Sequence, residues 1–498
     1  MPRHRLALLL VVAALLGACS TVKNPVTGQD ERTVMDERSE IAEGAKGHAE
    51  VLKEYPLLSN PPLQAYVDDI GQRLARQSHR AGLKWTFTVL DSPEVNAFAL
   101  PGGYVYVTRG ILAYLDSEAD LAGVLGHEIG HVTARHGAQR ATRAQAAGIG
   151  VFAATVLGAV LESGGVSGAG NMAGQLSQAA AAGFIASYSR DQELQADQLG
   201  AEYLARTRYD PSNMVDVIRT LRDQDLFRAD VAKAEGRPAP QQANWLSSHP
   251  SGEQRLAEIA RRAAAYKGSY DDDGRARYLK AIEAIPFGES REQGVTRGRH
   301  FFHEPLGVAL TAPAQWSIQN DTEAITLVNA AGDAALVVRL VPSQAGATHD
   351  EIVRNLIKPE QVRSERRTLG GGLSATHLTG SRRNAQGQAQ GFELTLATGP
   401  GNRHYLMSYA AKDAAALERS RAGLREAEAS FRLIGEAERA AARSWEIRLV
   451  PLPAGGFDEL ARRSPLGPHA RAQLLLLNGS YSGQAVTPGR LVKVVQVR

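Results

Sequence analysis

The sequence predicts an α+β protein, in which a mainly helical first domain with a small β-sheet is followed by an α+β domain and a small C-terminal unit. Apolar residues recur at helical spacing through residues 36–80 and 118–133. Short alternating strands flank a Pro-Gly-Gly turn that begins at Pro101. After residue 299, strand-like runs are interrupted by helical stretches. The chain has 498 residues, which is enough for about three domains.

The N-terminus is typical of a secreted protein. In residues 1–18, two arginines precede the apolar run Leu6 to Leu16, which indicates a signal peptide. The sequence L-G-A-C then resembles the bacterial lipobox, so we expect Cys19 to be lipidated and residues 19–30 to be a tether. Because serine and not aspartate follows Cys19, the bacterial sorting pattern favours an outer-membrane lipoprotein that faces the periplasm.

Composition excludes several classes of function. Cys19 is the only cysteine, so the chain can form neither an intrachain disulfide nor a cysteine-based metal site. The formal net charge is +3, and about +1 remains once the arginines of the signal peptide are removed. No polybasic surface is indicated, and we expect no nucleic-acid partner.

The motif H-E-x-x-H, from His127 to His131, carries the strongest chemical information. Two histidines four residues apart share one face of a helix and can hold one zinc ion, while Glu128 lies beside them to take a proton from the attacking water. Ser117 and the acidic residues after it predict the helix N-terminus. The surrounding residues are apolar, where charged groups are costly unless they are paired or bind a metal. The sequence therefore predicts the zinc site of a peptidase.

A catalytic zinc ion usually has a third protein ligand. His136 lies about half a turn out of phase with the motif, which indicates a surface histidine or one behind the ligands. Ala134 and Gly137 exclude the pattern H-E-x-x-H-x-x-G-x-x-H. Glu193 and Asp197 share one helical face, so Glu193 can complete a His-His-Glu set of the gluzincin type. Asp197 can then orient a ligand histidine or handle a proton.

These motifs together resemble one peptidase family. H-E-I-G-H followed by S-R-D-Q-E-L-Q-A-D at residues 189–197 is similar to the family of the CAAX prenyl endopeptidases, the heat-shock membrane protease HtpX and the periplasmic BepA-like metalloproteases, in its BepA- and LoiP-like lipoprotein branch. N-A-F-A-L-P-G-G at residues 96–103 and H-P at residues 249–250 resemble the same family. The likeness covers about residues 31–266.

The resemblance implies a metalloendopeptidase, a zinc-dependent hydrolase with one zinc ion per subunit. It implies that His127, His131 and Glu193 are the metal ligands. Glu128 then matches the catalytic base, and Asp197 a proton donor.

The resemblance also implies a role for His249, because in the BepA-like branch a histidine at this position can reach the metal. His249 then either fills the open zinc position at rest or stabilises the oxyanion during turnover. The alternative is a structural histidine that caps the helix beginning near Ser251.

In gluzincins an edge strand beside the metal pairs with an extended substrate, and we expect Asn96, Ala97, Phe98 and Ala99 to do so here. The insert at residues 141–187 is rich in alanine and glycine and suits a lid over the cleft. Its apolar run, residues 149–161, is too short to cross a bilayer. It therefore indicates a buried helix or one that lies on a membrane.

The remaining segments divide the chain further. We predict a zinc metallopeptidase domain at residues 31–266, a linker at 267–298 and an accessory domain at 299–435, which resembles PsbP-like lipoprotein domains around Pro313 to Trp316. Residues 445–498 resemble a LysM-like unit, from Gly456-Phe457 to Val492-Lys493-Val494. This unit contacts peptidoglycan or is a small structural cap.

The sequence as a whole predicts a zinc-dependent endopeptidase of the bacterial envelope. Its expected substrates, as the family implies, are misfolded or stalled envelope proteins. Two alternatives stay open: a zinc-containing, chaperone-like binding protein that rarely cuts, and a peptidoglycan-associated scaffold.

Overall fold

The computed structural model describes residues 20–146, 188–234, 245–249, 253–268, 270, 272–320, 324–383 and 388–498. The predicted signal peptide, Cys19 and most of the 141–187 insert lie outside the described residues. The chain divides into two compact units. The first unit comprises residues 20–146, 188–287 and 446–497, and the second comprises residues 288–445.

The first unit is mainly helical with a small sheet, as the sequence predicts. Its helices before residue 288 are α1 Glu37–Glu54, α2 Pro61–Arg76, α3 Arg109–Tyr114, α4 Glu118–Thr133, α5 His136–Ala146, α6 Arg190–Arg206, α7 Asn213–Ala234, α8 Trp245–Ser248, α9 Glu253–Ala263 and α10 Arg275–Ile282. Its strands in the same part of the chain are β1 Ser20–Lys23, β2 Asp30–Thr33, β3 Thr86–Leu90, β4 Ala97–Leu100, β5 Tyr104–Thr108 and β6 Pro286–Phe287.

Helix α4 is the buried centre of this unit. Its N-terminus is fixed by the predicted cap, because the Ser117 hydroxyl accepts from the backbone N–H of Asp120 and the Asp120 carboxylate accepts from the backbone N–H of Ser117. Glu118 accepts hydrogen bonds from the hydroxyls of Tyr66 and Tyr209. Burial raises the pKa of Glu118, but these hydrogen bonds and those from Arg277 and Arg73 outweigh it and lower the pKa to about 2. The capped, charged first turn therefore fixes the start of the helix that carries the H-E-x-x-H motif.

Strands β3, β4 and β5 form the small sheet in the order β3-β5-β4. β3 pairs with β5 in parallel and β4 pairs with β5 antiparallel, so β4 is the edge strand. Gly102 and Gly103 have φ values of 82° and 100° in the turn between β4 and β5, where a side chain would be strained. The sequence prediction of an edge strand followed by this turn is confirmed.

The second unit is an α+β structure with two antiparallel sheets. Its strands are β7 Val295–Arg297, β8 His300–His303, β9 Val308–Thr311, β10 Ser317–Asn320, β11 Ile325–Val328, β12 Ala334–Leu340, β13 Gln361–Leu369, β14 Leu373–Arg383, β15 Ala389–Thr398, β16 His404–Ala411 and β17 Arg432–Leu433. Its α-helices are α11 His349–Ile352, α12 Ala414–Ala429 and α13 Glu436–Ala441. A seven-stranded sheet runs β10-β11-β12-β16-β15-β14-β13, and a four-stranded sheet runs β17-β9-β8-β7. Leu424 and Ala427 of α12 pack in one apolar cluster with Leu336 and Tyr409 of the larger sheet.

The C-terminal segment returns to the first unit. It contains β18 Trp445–Pro451, α14 Gly456–Ala461, α15 Ala470–Leu477 and β19 Leu491–Val497, and the strands join β6 in the sheet order β19-β18-β6. Lys493 is fully buried and donates to the carbonyls of Ala113 and Leu115, just before helix α4. Burial lowers the pKa of Lys493 to about 8. This segment therefore packs against the residues that lead into the motif helix.

The segment that the sequence predicts as a linker, 267–298, with Tyr278 to Ile285 as a possible helix within it, is folded over most of its length. It contains helix α10 and strands β6 and β7, and the division between the units falls after residue 287. Tyr278, Leu279 and Ile282 are buried, and the Tyr278 hydroxyl donates to the Leu112 carbonyl. These apolar contacts hold α10 in the first unit. Among the described helices, none has the length and apolar composition that crossing a membrane requires.

Candidate metal centre

Two glycines let the motif helix and helix α6 approach closely. A Cβ at Gly130 would lie 2.9 Å from the Ala196 carbonyl oxygen, and a Cβ at Gly126 would lie 3.3 Å from the Gly200 Cα. The close approach brings Glu193, near the start of α6, to the histidines of α4. The sequence separation between these residues is large, so the site exists only because the two helices pack.

Four buried side chains converge on one point: His127, His131, Glu193 and His249. The two motif histidines bring their Nε2 atoms within 2.9 Å of each other, and these atoms lie 3.6 Å and 3.5 Å from the Glu193 oxygens. His249 Nδ1 lies 3.1 Å from both His127 Nε2 and Glu193 Oε1. Ligands about 2.0–2.1 Å from a tetrahedral zinc ion lie about 3.3 Å from one another. The nitrogen and carboxylate donor set and its spacing therefore fit zinc.

The hydrogen bonds of His127 fix its tautomer. Its Nδ1 lies 2.8 Å from Asp197 Oδ1, so we assign the proton to Nδ1, which leaves the Nε2 lone pair directed at the cluster. Both Asp197 oxygens also accept from Arg255. Burial raises the pKa of Asp197, but Arg255 and His127 outweigh it and hold the pKa below its ordinary value. Of the two roles that the sequence left open for Asp197, this geometry favours orienting the ligand.

His136 orients the second motif histidine in the same way. Its Nε2 lies 2.9 Å from Gln195 Oε1, which can only accept, so Nε2 carries the proton and Nδ1 is an acceptor. His131 Nδ1 lies 2.9 Å from that Nδ1 and therefore donates to it. Burial lowers the pKa of His136 to about 4, which keeps it neutral. His136 is thus buried behind the ligands, one of the two positions that the sequence suggested.

Charges around the cluster keep Glu193 ionised. Burial raises the pKa of Glu193, but His249, His127 and Arg255 outweigh it and lower the pKa. Burial also lowers the pKa of His131 well below its ordinary value. The cluster thus presents a neutral imidazole and a carboxylate, the forms that bind a cation.

Glu128 lies beside the cluster and not within it. Its Oε1 accepts from the indole Nε1–H of Trp245 at 2.9 Å and lies 3.5 Å from His249 Nε2. The Trp245 ring packs edge-on against His127, with ring centroids 4.8 Å apart. The backbone N–H of Trp245 donates to the Val95 carbonyl, just before the edge strand β4. The turn from Trp245 to His249 therefore contacts Glu128, the metal-facing cluster and the residues just before the edge strand.

The predicted substrate strand lies close to this cluster. Ala99 lines a small cavity with His131 and Tyr188. Tyr188 stacks on the His131 ring with centroids 3.9 Å apart. Phe98 instead packs on Tyr106 in an apolar cluster. The Asn96 Oδ1 atom is buried and has no hydrogen-bond partner among the described residues.

Sequence reasoning did not single out Trp245, Tyr188, Gln195 or Arg255. Trp245 lies four residues before His249, so helical spacing places both on one face. This spacing could have indicated that Trp245 lies near the metal-facing histidines. Tyr188 and Gln195 act through contacts that only the packing of α4 on α6 creates.

Residues 61–263 match the model of Peptidase family M48. This match covers about two fifths of the chain and includes the four converging residues. This segment is therefore similar to Peptidase family M48.

The beta-barrel assembly-enhancing protease of Yersinia pestis is 31% identical over 217 residues, which are 43% of this chain and 41% of that protein. The mitochondrial metalloendopeptidase OMA1 of Schizosaccharomyces pombe is 33% identical over 216 residues, 43% of this chain and 57% of that protein. The chain therefore spans about half the length of these relatives. The solution structure of cyanobacterial PsbP (CyanoP) from Synechocystis is similar over 28% of this chain and 98% of its own, with 12% identity and a TM-score of 0.20, too low to support an argument about the fold.

Proposed function

We propose that the Peptidase family M48 domain at residues 61–263 makes this chain a zinc-dependent endopeptidase, which cleaves misfolded or stalled proteins of the bacterial cell envelope. One observation carries the proposal: two imidazoles and a carboxylate from helices α4 and α6 converge at zinc-binding distances, with Glu128 alongside. The named relatives, both proteases, support the reaction class.

His127, His131 and Glu193 would hold the zinc ion. When bound, zinc polarises the attacking water and the scissile carbonyl. Glu128 accepts the proton of the water and passes it towards the departing amine. Asp197 and His136 keep the two ligand imidazoles in the required tautomer.

The edge strand β4 suits an extended substrate, whose backbone would add a strand to the sheet. Backbone pairing does not require a particular sequence, which is appropriate for a peptidase that acts on unfolded chains.

His249 supports a latent resting state. Its Nδ1 lies among the metal-facing atoms, so His249 would be available as a further ligand when zinc is bound. Its alternative role would be to stabilise the oxyanion during turnover. His249→Ala should therefore raise basal cleavage if His249 blocks the metal at rest and lower it if His249 stabilises the oxyanion; a variant unchanged in cleavage and in the zinc coordination seen by X-ray absorption would exclude both roles.

The same arrangement favours the first alternative, a zinc-containing binding protein with little proteolysis, because Trp245 and His249 both contact Glu128. Such a protein holds an unfolded polypeptide without cutting it. The second alternative is a peptidoglycan-associated scaffold, and it rests on the LysM-like sequence of residues 445–498 alone.

Location and domain roles belong to the same proposal. We place the mature chain at the outer membrane, anchored through Cys19 and facing the periplasm. Residues 299–435 are then an accessory module.

The deciding experiment combines metal analysis with digestion of casein and of an unfolded outer-membrane protein. The endopeptidase proposal predicts about one zinc ion per chain, loss of cleavage when a chelator removes it, and recovery when zinc is restored. Substrate that stays bound and intact in the zinc-loaded protein would support the binding protein instead.

A further inference from the structure

The seven-stranded sheet of the second unit ends in a long strand with one side unpaired. Strand β13 spans nine residues, Gln361–Leu369, and lies at one end of the strand order. Strand β14 pairs with it antiparallel along its whole length, and no other strand pairs with it in the described part of the chain. Its outer side therefore presents backbone N–H and C=O groups that the sheet does not use.

The faces of β13 are also largely uncovered. Seven of its nine residues are exposed and only Leu369 is buried, while the apolar Val362 is 46% exposed. The strand contains neither proline nor glycine, and its register with β14 is unbroken. The opposite edge of the sheet, β10, has only four residues. A long, regular and exposed edge is the geometry to which an extended polypeptide can add a strand.

The charges of β13 indicate which polypeptide fits. The strand carries three arginines and one glutamate, a net charge of +2. Arg367 is already paired, because its guanidinium nitrogens lie 3.1 Å from the carboxylates of Glu365 and Glu428. Arg363 and Arg366 are exposed and have no ion pair among the residues that the structure describes. Two guanidinium groups are therefore available to a partner.

The two unpaired arginines lie on opposite faces of the sheet. Residues an even number apart on a strand share a face, so Arg363 lies on the face of Arg367, which contacts Glu428 of helix α12. Arg366 lies on the other face. A strand added at this edge would therefore meet a positive charge on each face, and acidic residues at neighbouring positions would complement both.

The same charges disfavour a second copy of this chain as the occupant. Pairing of two β13 strands would bring the arginines of both copies to one edge, and like charges on adjacent strands are unfavourable. An extended chain with carboxylates would instead place opposite charges beside Arg363 and Arg366. The charge of the edge therefore favours an acidic partner.

We propose that strand β13 is a docking edge for an extended, acidic segment of another polypeptide, which adds an eighth strand to the sheet. Backbone hydrogen bonds would supply affinity, and Arg363 and Arg366 the preference for negative charge. The proposal does not depend on the proposed function, since it uses no residue of the metal centre.

The test measures peptide binding by the full, zinc-loaded chain carrying Glu128→Gln, so that the probe is not cut. Two fluorescent peptides of valine and threonine are compared by anisotropy, one with glutamates at neighbouring positions and one with lysines in their place. The glutamate peptide should bind about tenfold more tightly at low salt, because each unpaired arginine gains an opposite charge, and added salt should reduce the difference. Equal affinities would overturn the proposal.

Methylation of the peptide backbone tests the addition of a strand. An extended peptide directs successive N–H groups to opposite sides, so two glutamate peptides are methylated on alternate nitrogens, one on odd and one on even residues. The peptide whose methyl groups face β13 should lose binding at least about tenfold, since its hydrogen bonds cannot form. If both methylated peptides bind as tightly as the parent, no strand is added and the proposal fails.

Variants of the edge locate the site. Arg363→Glu with Arg366→Glu should remove the preference for the glutamate peptide. Arg299→Glu with Arg339→Glu changes two exposed arginines elsewhere in the second unit, and this matched control should leave the preference unchanged. A full preference in the β13 variant would place binding elsewhere and overturn the assignment. If that variant does not fold, the methylated peptides decide.

Sedimentation of the wild-type chain tests the other occupant. The proposal predicts that the β13 variant and the wild type have the same oligomeric state. A wild-type dimer that the β13 variant abolishes would assign this edge to a second copy of the chain and overturn the proposal.

Discussion

At the scale of single residues, the centre depends on the placement of protons on its imidazoles. Asp197 fixes the proton of His127 on Nδ1. The hydrogen bonds from His131 to His136 and from His136 to Gln195 fix the proton of His131 on its Nδ1. Both metal-facing nitrogens are thereby left as acceptors. The ligand geometry is therefore set by residues that do not touch the metal position.

Asp197→Asn should weaken zinc binding about 10- to 100-fold, the usual effect of losing a carboxylate behind a ligand histidine. The amide cannot neutralise the buried Arg255, which keeps its ion pair with Glu193 and its hydrogen bond to the His249 carbonyl. A chelator competition titration measures the change. The matched control is Asp69→Asn, whose side chain is 69% exposed. Unchanged zinc affinity in Asp197→Asn would show that Asp197 does not act through the ligand.

Much of the centre was predictable from local spacing. His127, His131 and Glu193 occupy the positions that helical periodicity and the family resemblance indicated, and His249 joins them. The contact between Trp245 and Glu128 was not predictable, because 117 residues separate them and only the tertiary fold brings them together. The substrate roles of residues 96–99 remain predictions.

At the scale of elements, the packing of helices α4 and α6 sets the distance between the histidines and Glu193. Glycines of α4 face α6 backbone at Gly126 and Gly130, whereas Gly123 faces the side chain of Met214 at 3.5 Å. Substitutions of these glycines test the packing without a change of charge.

Gly130→Ala should lower the free energy of unfolding by about 1–3 kcal/mol and reduce zinc content, since its Cβ would overlap the Ala196 carbonyl. Gly123→Ala is the control on the same helix, and it should be neutral or stabilise by up to about 1 kcal/mol through helix propensity. Denaturant unfolding and metal analysis measure both. Equal effects of the two variants would mean that close packing at Gly130 does not position Glu193.

Element types were predicted best where the apolar pattern is strong. The helix at Glu118–Thr133 and the strands on either side of the Pro-Gly-Gly turn lie where the sequence placed them. The strands at Gln361–Leu369 and Leu373–Arg383 were missed. The first is an arginine-rich strand at the sheet edge and is mostly exposed. Its sequence therefore lacks the alternation of apolar and polar residues that indicates a strand.

At the scale of the whole molecule, the first unit is closed by residues that lie far apart in the chain. The backbone N–H of Ile447 donates to Ile285, and the N–H of Ala284 donates to Ile447. The chain therefore leaves this unit after strand β6, at residue 287, and returns at residue 446 in strand β18, which pairs with β6. Sequence analysis treated residues 445–498 as a separate unit because no local pattern reveals such a return.

Replacing residues 290–443 with a short Gly-Ser linker should preserve zinc content and the melting temperature of the first unit, because the two chain ends lie close together. Removing residues 446–498 should instead lower the melting temperature, since it exposes the surface that buries Lys493, Leu474 and Val492. Thermal unfolding of the two proteins provides the comparison. A C-terminal truncation as stable as the full chain would contradict the assignment of this segment to the first unit.

The most direct test of the central claim is the digestion of casein by purified Glu128→Gln beside the wild type, with zinc measured in both. The account predicts about one zinc ion per chain in each protein and a loss of kcat/KM of about 100- to 10,000-fold in the variant. Because the amide keeps the size of the carboxylate but cannot accept the proton, folding and metal binding should persist. Wild-type rates of cleavage by a zinc-loaded Glu128→Gln would contradict the account.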